Sequence, residues 1–228
     1  MSNHNSILGQ ILQLISRYDF QKSVKRHECE KHSKGFSSWN HFTAMQFAQL
    51  SGQDGLRGVE HAMASHKNLN YHLGTKEVKR STLSYANKHR SHLLFKDIFE
   101  SLLRKVMTKT SKHKFRFKND LYSIDASTID LCLSLYDWAK FRKTKGGIKL
   151  HVKLNHSGYI PEFVHVTSAD HHEVNEIQNI PLKSGDVVTF DRGYNDYNQF
   201  AKYCRESIYF VTRMKKNAKY RVVERRDV

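Results

Sequence analysis

The sequence predicts an α+β chain whose helical first half leads into a mixed sheet. Apolar residues recur at helical spacing from Ile7 to about Leu102. From residue 119 the pattern changes to strand alternation broken by turn residues. The second half then reads β, β, β, α, β, α, β, which is three antiparallel strands followed by two parallel ones joined through helices. With 228 residues, 39% hydrophobic and 11% aromatic, the chain can bury a core in one large domain or two small ones.

Residues 1–75 are expected to form a helical domain. Ile7, Leu8, Ile11, Leu12, Leu14 and Ile15 give a first amphipathic helix, capped by Asn5 or Ser6. Lys22 to Gly35 is basic and polar and reads as loop or frayed helix. Ser37-Ser38 can cap a second helix carrying Trp39, Phe42, Met45, Phe47, Ala48 and Leu50. A third helix starts near Asp54, with Leu56, Val59, Ala62 and Met63 inward. A bundle of this size is common among DNA-binding modules and equally serves as a cap on a neighbouring domain.

Residues 76–118 read as a helix-turn-helix-like segment and a basic linker. A short helix is expected from Thr75, a turn near Arg80-Ser81, and a long helix capped by Ser81 or Thr82. That helix would present Ser84, Asn87, Lys88 and Arg90 to phosphates and base edges. Lys105 to Lys118 is the linker. Residues 119–228 supply strands at Tyr122–Leu131, Ile148–Leu154, Ile160–Thr167, Asp186–Phe190 and Ser207–Met214. Helices are expected at Ala169–Ile180 and Tyr197–Glu206. In the ribonuclease H-like layout that this order matches, the fourth of these strands lies beside the first.

A net charge of +16 and a pI near 9.7 point to a polyanionic partner, with nucleic acid first among them. Residues 1–115 hold 19 Lys/Arg against 8 Asp/Glu, and residues 116–228 hold 19 against 14. The first half is therefore the expected phosphate grip and the second holds most of the acids. No apolar run approaches the roughly 20 residues of a membrane span, and the start lacks a signal-peptide pattern. Cys29, Cys132 and Cys204 stand apart, which suits a reducing cytoplasm. Cys29 with His27 and His32 sketches a zinc site without a second cluster.

The chemistry is expected at Asp125, which interrupts what reads as a buried strand. A lone buried acid costs free energy unless a positive charge meets it. The strand order sets Asp191, at the end of Val187-Val-Thr-Phe190, across from it. Two close carboxylates become stable on sharing a hard cation, Mg²⁺ or Mn²⁺. Two such ions about 4 Å apart activate an attacking oxygen and stabilise a leaving one at a phosphodiester. Asp130 lies an odd number of residues away and points to the other face. Lys149 and His151 share one face of the next strand and either contact a phosphate or meet solvent. Arg192 and Tyr194 could hold DNA or orient the acid. His171 and His172 either serve the site or decorate a surface loop.

Six stretches resemble the IS4-type DDE transposases of bacterial insertion sequences. They are Ser38 to Gly52, Arg80 to Arg90, Ile124-Asp-Ala-Ser-Thr128, Lys149-Leu-His151, Phe190-Asp-Arg-Gly-Tyr194 and Phe210-Val-Thr-Arg-Met-Lys215. The resemblance implies an enzyme of the bacterial cytoplasm, associated with the nucleoid. It implies metal-dependent nicking of double-stranded DNA at element ends, joining to target DNA, and possible action as a homodimer. Asp125 and Asp191 correspond to the first two acids of the triad, and Arg80, Asn87, Lys88, Arg90, Lys149, His151, Arg192 and Tyr194 are the expected DNA contacts of this chain. In that family a third acid, a Glu in a Tyr…Arg…Glu…Lys pattern, follows a β-rich insertion. Here Glu206 and Glu224 are the only glutamates after Asp191, and neither has that setting. The expectation is therefore an N-terminal portion, a ribonuclease H-like sheet lacking its last helix and exposing apolar residues on one face. The alternative is a non-catalytic DNA-binding remnant or regulator of transposition.

Overall fold

A computed structural model describes residues 6–31, 33–131, 140–142 and 145–219, together with 221 and 224. The chain divides into two compact units, Met1–Val106 and Met107–Val228.

The first unit is helical. Helix α1 (Ile7–Gln13) starts where Ser6 accepts the Gly9 N–H, at 3.1 Å. Helix α2 (Arg17–Arg26) is capped by Ser16 and buries Phe20 and Val24, four residues apart on one face. The start of the stretch expected as loop or frayed helix is therefore helical, because the apolar residues Phe20 and Val24 fall at i, i+4. Helix α3 (Ser38–Leu50) is capped by Ser37 as expected. It is buried nearly all round, from Ser38 through Ala44, because two clusters meet on it. Leu8, Leu12, Phe20, Trp39, Phe42, Leu94 and Ile98 form one. Ala44, Ala48, Val59, Met63, Val78 and Leu83 form the other.

Helices α4 (Leu56–Ser65), α5 (Lys67–His72), α6 (Arg80–His89) and α7 (Leu93–Met107) follow. The expected helix-turn-helix differs in the structure. Residues 75–79 are not helical, and the expected long helix is broken at 90–92. Arg90 leaves the helix with extended backbone, ψ 144°. Its guanidinium meets the Phe36 carbonyl, the Ser37 carbonyl at 3.0 Å and Ser33 Oγ at 3.0 Å. Those three acceptors compensate for interrupting the helix.

The second unit is a mixed sheet. Its strands are β1 (Leu121–Leu131), β2 (Lys140–Arg142), β3 (Lys145–Asn155), β4 (Ile160–Ser168), β5 (Val187–Phe190) and β6 (Tyr209–Val211). Among the described residues the order is β2-β3-β1-β5-β6, and β4 also pairs with β3, along Ile148–Asn155 beyond the end that β2 pairs. β1, β3 and β4 are antiparallel, and β1, β5 and β6 are parallel. This is the expected arrangement of a helical region followed by a ribonuclease H-like mixed sheet.

Ile124, Val188, Phe190 and Phe210 share one face, where Ile177, Ile180, Tyr194, Tyr203 and Ile208 cover them. Tyr203 belongs to α8 (Tyr197–Arg205), which Asp196 caps through the N–H groups of Asn198 and Gln199. The helix expected over 169–180 is instead two short 3₁₀ turns, Glu173–Asn175 and Ile177–Asn179. Residues three apart eclipse in such turns, which puts Glu173 and Glu176 on one side.

Candidate active site

β1 and β5 run parallel with Ile124 beside Phe190. Their next residues, Asp125 and Asp191, therefore leave at one level from strands ~4.8 Å apart. Strand alternation turns Asp125 away from the face that buries Ile124. β5 ends at Phe190 because the Asp191 side chain accepts the Gly193 N–H at 2.8 Å and caps a 3₁₀ turn, Arg192–Tyr194. A side chain on Gly193 would collide with the Glu173 carboxylate and stand 2.9 Å from Asp191 Oδ1. A larger residue there would have to displace the Glu173 carboxylate.

Asp125 is exposed, as is Asp191. The expectation of a buried acid is thus corrected. β5 stops at Phe190, so from Asp125 onward β1 has β3 alone beside it among the described residues. Asp125 Oδ1 accepts the N–H of Ala126 at 2.8 Å. Among the described residues each carboxylate keeps its other oxygen uncommitted.

The flanking residues are held by the protein. His151 is fully buried, with Nδ1 3.0 Å from the Tyr194 hydroxyl and Nε2 3.0 Å from Thr167 Oγ1. Burial lowers its pKa, so the ring is neutral near pH 7. Tyr194 is also fully buried. Burial first, then the charges of Glu173, Asp125, Asp191 and Glu176, raise its pKa, and the phenol stays protonated. Lys149 donates from Nζ to the His171 carbonyl at 2.9 Å and lies 3.4 Å from Glu173 Oε1. Arg192 is exposed, directly after Asp191.

Two acids that the sequence reading did not single out belong to this corner. Glu173 packs against the Gly193 turn and pairs with Lys149. Glu176 is almost wholly buried, with His165 Nδ1 at 2.7 Å and His171 Nε2 at 2.8 Å. Burial opposes its charge, but hydrogen bonds from His165 and Asn179 and the two histidines' charges outweigh it and lower its pKa. His172 is exposed. The i, i+3 spacing of Glu173 and Glu176 after a His-His pair is the signal that could have found them.

In the first unit Arg80 and Lys88 are exposed. Asn87 has its side-chain oxygen 2.6 Å from Nε2 of His41, which is buried with a lowered pKa. Arg90 spends its donors on residues 33–37, as above. Cys29 is a buried free thiol and Asp97 takes up His27 at 2.9 Å. His32 and Cys132 lie outside the described residues.

The donor set at Asp125 and Asp191 fits Mg²⁺ or Mn²⁺. Both are hard oxygen ligands at an exposed edge, and Mg²⁺ is commonly held by one or two carboxylates while keeping several waters. Among the described residues no group of three His, Cys, Asp or Glu is arranged to hold a metal.

Residues 116–227 match the family model described as a transposase DDE domain, and residues 3–76 match a domain of unknown function, DUF4372. Two curated proteins are similar. "Putative transposase y4zB" of Sinorhizobium fredii is 29% identical over 146 residues, 64% of this chain and 40% of that protein. "Probable transposase for insertion sequence element IS5377" of Geobacillus stearothermophilus is 25% identical over 124 residues, 53% of this chain and 33% of that protein. The chain thus spans less than half the length of either relative it matches.

Proposed function

We propose that the chain is part of an IS4-type transposase that cuts and joins double-stranded DNA at the ends of an insertion sequence. Asp125 and Asp191 hold Mg²⁺ or Mn²⁺ there. The observation that carries the proposal is the parallel register of Ile124 with Phe190, which brings Asp125 and Asp191 off β1 and β5 at one level, both exposed and each with one carboxylate oxygen uncommitted among the described residues. When bound, such ions supply activation of the attacking oxygen and stabilisation of the leaving one at a phosphodiester.

The chain's own residues divide the remaining work. Arg192 beside Asp191, with Arg80 and Lys88 on α6, supplies exposed charge for phosphates. Lys149 and Glu173 brace the turn that presents Asp191. His151 and Tyr194 hold that turn to β3 from within the core, so they position rather than touch DNA. Asn87 and Arg90 likewise fix α6. Two copies acting together on paired DNA ends would extend the grip of each.

The test is Mg²⁺-dependent nicking of duplex DNA carrying element ends. Nicking lost in Asp125→Ala and Asp191→Ala supports the reading, and nicking unchanged in Asp125→Ala removes that residue from it. Salt-sensitive DNA binding with no nicking in either metal would favour the alternative, a non-catalytic DNA-binding protein. Binding that does not fall with salt would exclude a phosphate grip.

A further inference from the structure

On the first unit, a cleft of about 570 Å³ lies between residues 27–31 and 33–36 on one side and α6 on the other. Its α6 wall carries an exposed aromatic pair. Tyr85 is 66% exposed, and its ring stacks on His89 at 3.9 Å with 22° between the planes. His89 Nδ1 donates to the Tyr85 carbonyl at 2.9 Å, which fixes the imidazole in that stack. The opposite wall brings Phe36, with the Arg90 guanidinium 5.1 Å from its ring centre, and Lys31 and Lys34. The acid in the cleft, Glu28, faces Lys31 at 2.9 Å. Lys34 makes no ion pair among the described residues.

A rigid aromatic platform with lysines across from it does not suit the outer surface of a duplex, whose base faces are already stacked. It does suit a single base with its phosphate, because any base offers a π-face and the lysines complement the charge. We infer that this cleft binds one unpaired nucleobase of a nucleic-acid strand. Tyr85 and His89 are the stacking platform and Lys34 is the phosphate contact. The inference rests on the proposal that this chain binds DNA. It adds a preference for DNA in which a base is already unpaired, since extruding a paired base costs a few kcal/mol.

The experiment measures binding of the full chain by fluorescence anisotropy to two DNAs. One is a fully paired duplex, and the other is the same duplex with one bulged 2-aminopurine. The bulged DNA is expected to bind about 10-fold tighter, in the range that stacking one base supports, with quenching of the 2-aminopurine. Tyr85→Ala should bring the bulged DNA to the affinity of the paired duplex while leaving the duplex unchanged. Tyr85→Phe should keep the preference, and Lys34→Ala should weaken the bulged DNA more than the duplex. The large exposure of Tyr85 makes these variants neutral to folding, and far-UV circular dichroism checks that. Equal affinity for the two DNAs, or a preference that survives Tyr85→Ala, overturns the cleft while leaving duplex binding standing. Failure to bind either DNA overturns DNA binding itself, and the cleft with it.

Discussion

On one face of the sheet, Ile124, Val188, Phe190 and Phe210 lie under Ile177, Tyr194 and Tyr203. On the other, Ile129, Val164, Val166, Tyr209 and Val211 stand 41–62% exposed around Asp125. Registers connect Asp125 to Val152 and on to Val164 across three strands, so the acid rises from an open apolar surface. Neighbouring residues of β1 thus serve a closed frame and an open working surface. The polar groups of the frame, His151, Tyr194 and Lys149, are tied to other elements of the protein, whereas Asp125 and Asp191 each accept only a backbone N–H within two residues, among the described residues.

Truncating the frame should have the largest effect. Tyr194→Ala removes a fully buried ring and the hydroxyl partner of His151, and should cost about 3–5 kcal/mol, read from urea unfolding. A cost near that of an exposed residue would show that the frame is not closed. Lys149→Ala should cost less, about 1–2 kcal/mol, because it strips one charge-assisted bond to the His171 carbonyl and the facing charge of Glu173. If nicking falls in Lys149→Ala while stability barely moves, the lysine acts on DNA and not on the turn.

pH offers a subtler comparison. His151 and His41 are buried with pKa values below the ordinary 6.5. The unfolded chain takes protons there that the folded chain refuses, so stability should fall as pH drops from about 6.5 toward the folded values. The denaturation midpoint should therefore be lower at pH 5 than at pH 7, and His151→Gln should flatten the second unit's share. On the open face, Val166→Lys should change stability by at most about 0.5 kcal/mol. It should reduce self-association seen by light scattering, because it breaks an apolar patch.

Much of this was legible in the sequence. Ser6 and Ser37 announced their helices, and the strand order, matched to a ribonuclease H-like layout, put β5 beside β1. Exposure of Asp125 was not legible, since it depends on β5 ending a residue short of it. Nor were the ties of His151, whose partners Thr167 and Tyr194 come from β4 and the turn after β5. Local pattern shows a histidine beside a lysine, but not which interior groups will bind each. The segment 169–180 misled for a related reason. Its apolar spacing is helical, and the buried pairing of Glu176 with His165 and His171 goes with tighter turns.

The central proposal is that Asp125 and Asp191 form one metal site. A Mn²⁺ titration followed by loss of the free-ion paramagnetic resonance signal tests it without requiring strand cleavage. Wild-type protein should bind the ion, and Asp125→Asn and Asp191→Asn, both at exposed positions and expected to fold normally, should each lose that binding. Mn²⁺ uptake equal to wild type in either variant would contradict it.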